Sequence, residues 1–397
     1  MPRPLAGVRV LDLSRVLAGP WAGQLLADYG ADVIKVERPG AGDDTRGWGP
    51  PFHGDPADQQ SAYYLSANRG KRSVAIDIAS PEGAAQVRQL ARGADIVLEN
   101  YKVGQLARYG LDYAALSALN PALIYCSITG YGQTGPYAQA AGYDFAIQAT
   151  GGLMSVTGER DGTPGSQPQK VGVAVADLFT GVYSVTAILA ALVERGRTGR
   201  GRWIDAALLD TQVAMLANQA SNHLVGGIRP KRMGNAHLNV VPYQVFATGD
   251  GHIVLAVGND GQFQRFCRLA GRPAVADDER FRTNALRLVN RDALIPILAT
   301  WMLERGTREW MALLEPNAVP CAPILELPEV FEHAQVLERG VRIETDGVPM
   351  VATPMRLDGQ RPVAPRRPPR VDEQGDAIRA ALARGQTWAS AEDGDAS

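Results

Sequence analysis

The N-terminal third of the chain repeats one pattern. A short apolar run is followed by a Gly- or Pro-marked turn, and then by apolar residues at helical spacing. Residues 7–13 (GVRVLDL) predict a strand, and Gly19, Pro20 and Gly23 lead into a helix ending near Gly30. Residues 32–36 (DVIKV), 72–78 (RSVAIDI), 95–99 (DIVLE) and 123–127 predict further strands, with a helix at about 81–92. Apolar runs alternating with helical periodicity predict βαβ units, hence an α/β fold with a parallel sheet doubly wound in the Rossmann manner. Between the second and third strands lies ERPGAGDDTRGWGPPF. It is a long polar loop with two aromatic residues, of the kind that carries function.

Beyond Gly201 the pattern changes. RWIDAALLDTQVAMLANQAS reads as one long helix. Residues 242–257 alternate like antiparallel strands around the turn signal GDG at 249–251, and GNDGQFQRFCRLAG reads as a turn running into a helix. Helices are expected at 290–305 and 307–314. Residues 225–320 therefore form a smaller α+β domain. The tail from Gln360, QRPVAPRRPPR, reads as a surface linker, and the final SAEDGDAS as disordered.

One stretch stands apart. In VGVAVADLFTG (171–181) a single carboxylate, Asp177, closes an apolar run, and residues 178–193 carry no charge. Residues 171–176 predict a short buried strand and 178–194 an apolar helix, with Asp177 as its N-cap. The same geometry suits a reactive carboxylate, because two rigid elements fix it and the helix dipole favours its ionised form. Gly181, Tyr183 and Ser184 dilute the apolar stretch, so it reads as a core helix rather than a membrane span.

Composition narrows the classes. At 397 residues, 45% hydrophobic and 21% charged, the chain is an ordinary soluble protein of two or three domains. Its net charge of −2 gives no basic footprint for nucleic acid. Cys126, Cys267 and Cys321 are widely spaced, which offers neither a disulfide framework nor a metal-ligand set and points to a reducing, cytoplasmic setting. Arg9, Asp12 and Arg15 interrupt any signal-peptide core. The turn after the first strand, LSRVLAGPWAG, lacks GxGxxG, which opposes a nicotinamide oxidoreductase. Lys35, Arg38, Arg69, Lys71, Arg72, Lys102 and Arg108 lie in or just after the strands, at the edge where such sheets bind ligands. They are candidate phosphate partners, or else solvated surface charge.

Several long stretches are similar to the family III CoA-transferases. They are PLAGVRVLDLSRVLAGPWAGQLLADYGADVIKVERPGAGDDTRGWGPPF, YYLSANRGKRSVAID, DIVLENYKVGQLARYGLDY, SITGYGQTGPYAQAAGYDFAIQATGGLMSVTG and VGVAVADLFTGVY. The resemblance implies a large Rossmann-like domain built from both chain ends (1–200 and 346–397), a small domain at 225–320, linkers at 201–224 and 321–345, and an interlocked homodimer. It implies coenzyme A and acyl-CoA as substrates, with no permanently bound cofactor, metal, nucleic acid or membrane. Asp177 matches the catalytic carboxylate, which forms an acyl anhydride and then an aspartyl-CoA thioester. The basic residues would meet the CoA phosphates, beside Val16 and Asn68, and Asn100 and Tyr101 match an Asn–aromatic pair along pantetheine and adenine. Gly258, Asn259 and Gly261 match a mobile glycine loop that closes over the anhydride, and Trp48 a tryptophan near it.

Tyr143 stands where the racemase branch has a histidine. Its ordinary pKa near 10 makes it a poor base, and the histidines at 53, 223, 237, 252 and 333 lie elsewhere. Transfer is therefore favoured over racemisation, with Tyr143 as a hydrogen-bond donor. Leu17 replaces the glutamine of formyl-CoA transferase. ERPGAGDDTRGWGPPF, CSITGYGQTGP and PKRMGNAHLNVVPYQVF look most like the succinyl-CoA–glutarate branch. A dicarboxylate needs a cation for its far end, and Arg46, Arg232 and His237 are the candidates. The alternative from another class is a CoA-binding protein without catalysis.

Overall fold

The structure is a computed structural model and describes residues 3–56 and 58–389; SAEDGDAS lies outside them. Six strands, β1 (Arg9–Asp12), β2 (Asp32–Glu37), β3 (Lys71–Ala75), β4 (Ile96–Glu99), β5 (Ile124–Thr129) and β6 (Trp203–Ala207), form one parallel sheet in the order β3-β2-β1-β4-β5-β6. The strand order reverses between β1 and β4, the switch point at which doubly wound sheets open a ligand crevice.

Alternation along the strands decides the two faces. Leu11 packs with Ile34, Val97 and Tyr125 under α2 (Pro81–Gly93), while Val10 packs with Val33, Ile96 and Leu98 under α1 (Ala18–Asp28). Beyond β5 come α3 (Asp144–Thr150) and the 24-residue α4 (Val175–Thr198), which joins the second cluster through Ala176, Val185, Ile188 and Ala191. A Cβ at Gly181 would stand 2.7 Å from the Ala18 carbonyl oxygen, so glycine lets α4 lie directly on α1.

Three expectations are corrected. Residues 171–174 pair with no strand; they enter α4 as irregular chain. The long helix expected from 202 begins instead as the edge strand β6, followed by α5 (Leu208–Met215), because Trp203 to Ala207 extend the sheet against β5. The tail is no loose linker. The Asp372 carboxylate accepts the Ala75 N–H (2.7 Å) and the Gln374 N–H donates to the Ser73 carbonyl (3.1 Å), so the tail covers the open edge of β3.

Contacts divide the chain into two units, one of Met1–Leu153, Lys170–Gly226 and Ala334–Ser397, the other of Met154–Gln169 and Gly227–His333. Boundaries therefore differ from the expected linkers, and 154–169 belongs with the smaller unit. That unit carries an antiparallel sheet of β7 (Tyr243–Ala247), β8 (His252–Ala256) and β9 (Cys321–Pro323) in the order β9-β8-β7, over a core that includes Phe263, Phe266, Trp301 and Trp310.

A buried pair helps anchor the return of the chain to the large sheet. Arg69 grips Asp28 with two bonds (3.0 and 2.6 Å) and donates to the Val351 carbonyl (3.0 Å), and Asp28 also accepts the Ala364 N–H (3.0 Å). Asp28→Ala leaves a guanidinium buried and unpaired. A loss of about 3–5 kcal/mol is expected in denaturant unfolding, and a loss below about 1 kcal/mol, the worth of an exposed pair, would refute the anchoring role.

Candidate functional site

The cleft opens where the switch point predicts, at the C-terminal ends of β1, β4 and β5. It is a cavity of about 220 Å³ lined by Arg15, Val16, Leu17, Asn100, Tyr101, Lys102, Gly130, Tyr143 and Asp177 among others. Two loops make its floor. The Arg15 N–H donates to the Asn100 side-chain oxygen (2.9 Å), and the Asn100 amide donates back to the Arg15 carbonyl (2.6 Å). Val16 then takes a φ of +70°, rare for a β-branched residue, with its N–H on the Asp43 carboxylate (3.2 Å). Asp43 also caps the turn at Asp44–Gly47 through the Thr45 N–H (3.0 Å) and pairs with Lys35 (2.9 Å). Burial pushes the Asp43 carboxyl up, but Lys35 and the Thr45 bonds outweigh it and hold it at about 2.

Asp177 sits in the first turn of α4, half-buried. It is not the N-cap. Ala174 has that place and makes no side-chain bond. The capping oxygen comes from Asp144, which accepts the Ala176 N–H at 2.8 Å and the Asp177 N–H at 3.5 Å. The other Asp144 oxygen accepts from Gln148 (2.7 Å), whose own side-chain oxygen accepts the Val171 N–H (2.9 Å). Asp144 and Gln148 thus fasten residues 171–177 to α3. Burial, and then the neighbouring Asp144 charge, push the Asp177 carboxyl up to about 7. This differs from the expectation of a firmly ionised group: burial and the Asp144 charge both favour its neutral form. Leu17 is buried at the start of α1 as an apolar wall, and Tyr143 is exposed on the rim.

The basic candidates separate into two groups. Lys35, Asn68, Arg69, Lys71 and Arg72 are buried and committed inside the protein, which corrects their expected place as phosphate partners. Lys71 holds Asp12 (2.8 Å) and the Asn68 oxygen (2.9 Å), and Arg72 holds Asp32 (2.7 Å) and the Ala389 carbonyl (2.8 Å). Arg38, Lys102 and Arg108 remain exposed. Arg38, with Arg15, Tyr101 and Tyr109, lines a second cavity beside the first.

Of the three cations expected for a far carboxylate, Arg46 and Arg232 are paired inside the protein. Arg46 is bound to Glu37 by two bonds (2.8 and 2.7 Å) and to the Tyr64 hydroxyl (2.6 Å), stacked over the Tyr64 ring. Arg232 and His237 belong to the smaller unit, Arg232 paired with Asp161 and the His237 Nδ1 accepting the Asn239 N–H (3.0 Å). Gly258 and Asn259 lie there too, in the turn between β8 and α6 (Asp260–Leu269), with Gly261 in the first turn of α6. The Asn259 side chain caps the Gln262 N–H (3.0 Å), and the Gln262 oxygen accepts the Gly258 N–H (2.7 Å). Trp48 is half-exposed and packs edge-on against Tyr63 at 5.0 Å. Burial and then the charges of Asp177, Asp144 and Asp43 raise the Tyr63 hydroxyl pKa.

Residues 5–375 match the family described as CoA-transferase family III. The chain belongs to this family. It is 53% identical over 387 residues to a succinate–glutarate CoA-transferase of Agrobacterium fabrum, covering 96% of each chain. It is 48% identical over 344 residues to the human succinyl-CoA:glutarate CoA-transferase, covering 87% of this chain and 77% of that one. Among solved structures, a CAIB/BAIF family protein from Brucella suis superposes with a TM-score of 0.86 at 50% identity, covering 96% of this chain and 100% of that one.

The family III enzyme thus has the Asp177 carboxylate facing a cleft at the switch point, which Asp44 also lines. Among the described residues no hydrogen bond reaches its side-chain oxygens, because Asp144 serves the helix N–H groups in its place. Such a carboxylate is available as a nucleophile. Sequence reasoning passed over Arg15, Asp43, Asp144 and Gln148. The motif holding Tyr143 already contained Asp144, one residue on.

A pH dependence follows. With the Asp177 carboxyl pushed up to about 7, a reaction that needs its ionised form is expected to lose about tenfold in kcat/KM per pH unit below 7. Asp144→Asn removes the like charge yet keeps an acceptor for the Ala176 N–H. The limb is then expected to move to lower pH; a limb that stays in place means the neighbouring charge does not set it.

Proposed function

We propose that the enzyme moves CoA from succinyl-CoA to a dicarboxylic acid of glutarate size, through covalent intermediates on Asp177. The observation that carries this reading is the unbonded Asp177 carboxylate in the cleft beside Asn100 and Tyr101. The names of the relatives supply the acids. Asp177 attacks the thioester carbonyl, giving a mixed anhydride and CoA thiolate. The thiolate attacks the aspartyl carbonyl, releasing succinate and leaving an aspartyl-CoA thioester. The acceptor carboxylate attacks that thioester, again freeing the thiolate. Attack of the thiolate on the acceptor's carbonyl yields the new acyl-CoA and free Asp177. Tyr143, on the rim, is a donor for the anhydride oxygens.

Leu17 supports the choice of acid. An apolar wall favours methylenes, each adding up to about 0.8 kcal/mol when buried, and pairs poorly with a short polar diacid. The free cysteines support a cytoplasmic setting. For the assembly we infer an interlocked homodimer. The outer face of α4 exposes Phe179, Val182, Tyr183 and Val193, an apolar stripe suited to a second copy. The helix is long and apolar enough to cross a membrane, yet its other face joins the core.

Asp177→Ala and Asp177→Asn are expected to abolish transfer from succinyl-CoA while CoA still binds, and glutarate is expected to outcompete oxalate in wild type. Hydroxylamine trapping after succinyl-CoA should mark the Asp177 peptide. Substantial transfer by the alanine variant would sink the covalent route, and a preference for oxalate would sink the apolar wall. Sedimentation at micromolar concentration is expected to give a dimer; a monomer would contradict the interlocked assembly.

A further inference from the structure

We propose that Arg15 reads the far carboxylate of the dicarboxylic acyl chain and so sets the acid specificity of the cleft. The proposal rests on the dicarboxylate reading above and assigns the cation that reading requires. Arg46 is spent on Glu37, and Arg232 is paired with Asp161. Of the residues lining the cleft with Asp177, Arg15 and Lys102 are the cations. Lys102 stands exposed on its loop. Arg15 is the one with a fixed geometry.

Three contacts fix it. Asn100 clamps its peptide on both sides (2.9 and 2.6 Å). Its guanidinium lies 5.1 Å over the Tyr101 ring. Its Nη1 meets one oxygen of Asp44 at 3.2 Å. The fork is otherwise uncommitted, and its Nε is buried without a partner. Arg46, Arg69 and Arg72 each grip a carboxylate with two bonds; Arg15 does not. A guanidinium prefers the two-bonded arrangement.

Asp44 is a replaceable partner. The Arg15 and Asp44 side chains are 41% and 40% exposed, and Asp44 is shared with Arg38 at 3.6 Å. Exposed pairs of this kind contribute little to stability. A substrate carboxylate can therefore take the place of Asp44 on Arg15. Leu17, two residues on, gives the intervening methylenes an apolar surface in the same cleft, while Asp177 meets the reacting end.

The test compares kcat/KM for glutarate and valerate, five-carbon acids that differ in the far carboxylate, with one donor thioester throughout. Arg15→Gln is expected to lower the glutarate-to-valerate ratio by about tenfold or more, the worth of a hydrogen bond to a charged group. Arg15→Lys, which keeps the charge without the fork, is expected to fall between. Equal losses on both acids would overturn the proposal, since Arg15 would then act through CoA or the fold. A wild-type enzyme that does not prefer glutarate would sink the dicarboxylate reading and this assignment with it. A preference that survives in Arg15→Gln would sink the assignment alone. Should Arg15→Gln fail to fold, Asp44→Asn decides. It leaves Arg15 in place and removes its rival, so the KM for glutarate is expected to fall relative to valerate; an unchanged or higher KM overturns the exchange.

Discussion

The cleft depends on the pairing of Lys35 with Asp43. Lys35 lies inside β2, a strand covered on both faces, and its ammonium must meet a carboxylate or leave the sheet. It meets Asp43 at 2.9 Å and the Ser14 carbonyl at 2.7 Å. To reach Lys35, the loop after β2 folds back over the sheet end. The same Asp43 then holds the Val16 N–H in its left-handed turn and the Thr45 N–H in the turn below. Asp44 follows and is carried to Arg15. A buried charge inside a strand thereby fixes two loops at the switch point. Strain at Val16 persists because bonds from both sides over-determine it.

The Asp177 carboxylate is kept free by a neighbouring helix. The first turn of a helix offers unpaired N–H groups, and a carboxylate there usually satisfies its own helix. Here Asp144, from a different helix, supplies that oxygen. Asp177 keeps its oxygens free while remaining in a rigid turn. Desolvation, and then the Asp144 charge, raise its pKa to about 7. Capping from another helix lets the turn be rigid while the Asp177 oxygens stay unbonded, as the covalent route proposed above requires.

How far all this was legible in the sequence follows from locality. The parallel strands were legible because their signals, a run and a turn, lie within a few residues, although the edge strand at Trp203 hid in a helical periodicity. Asp177 was legible as a lone acid in an apolar setting, but its structural reason was misread, since a cap donated by another helix leaves no mark in spacing. The basic residues failed for the same cause. Arg69 and Asp28 are 41 residues apart, and nothing near Arg69 announces its partner. Lys35 did carry a clue: a lysine in the middle of DVIKV has no exposed face to occupy. Arg15 was visible in LSRVLAGP, but as a charge near the N-terminus, with no local sign of its place in the cleft.

The tail that covers β3 bears on how the molecule is made. Asp372 and Gln374 bond to β3, and the Trp388 indole bonds to Asp32 beside it (2.8 Å). The sheet's outer strand is therefore left open while some three hundred residues of chain are still being synthesised after it. The smaller unit, mostly one continuous stretch, has all its strands before the covering segment emerges. A growing chain can thus complete the inserted unit first and seal the larger one last, so the edge of β3 stays open to wrong pairing until late in synthesis.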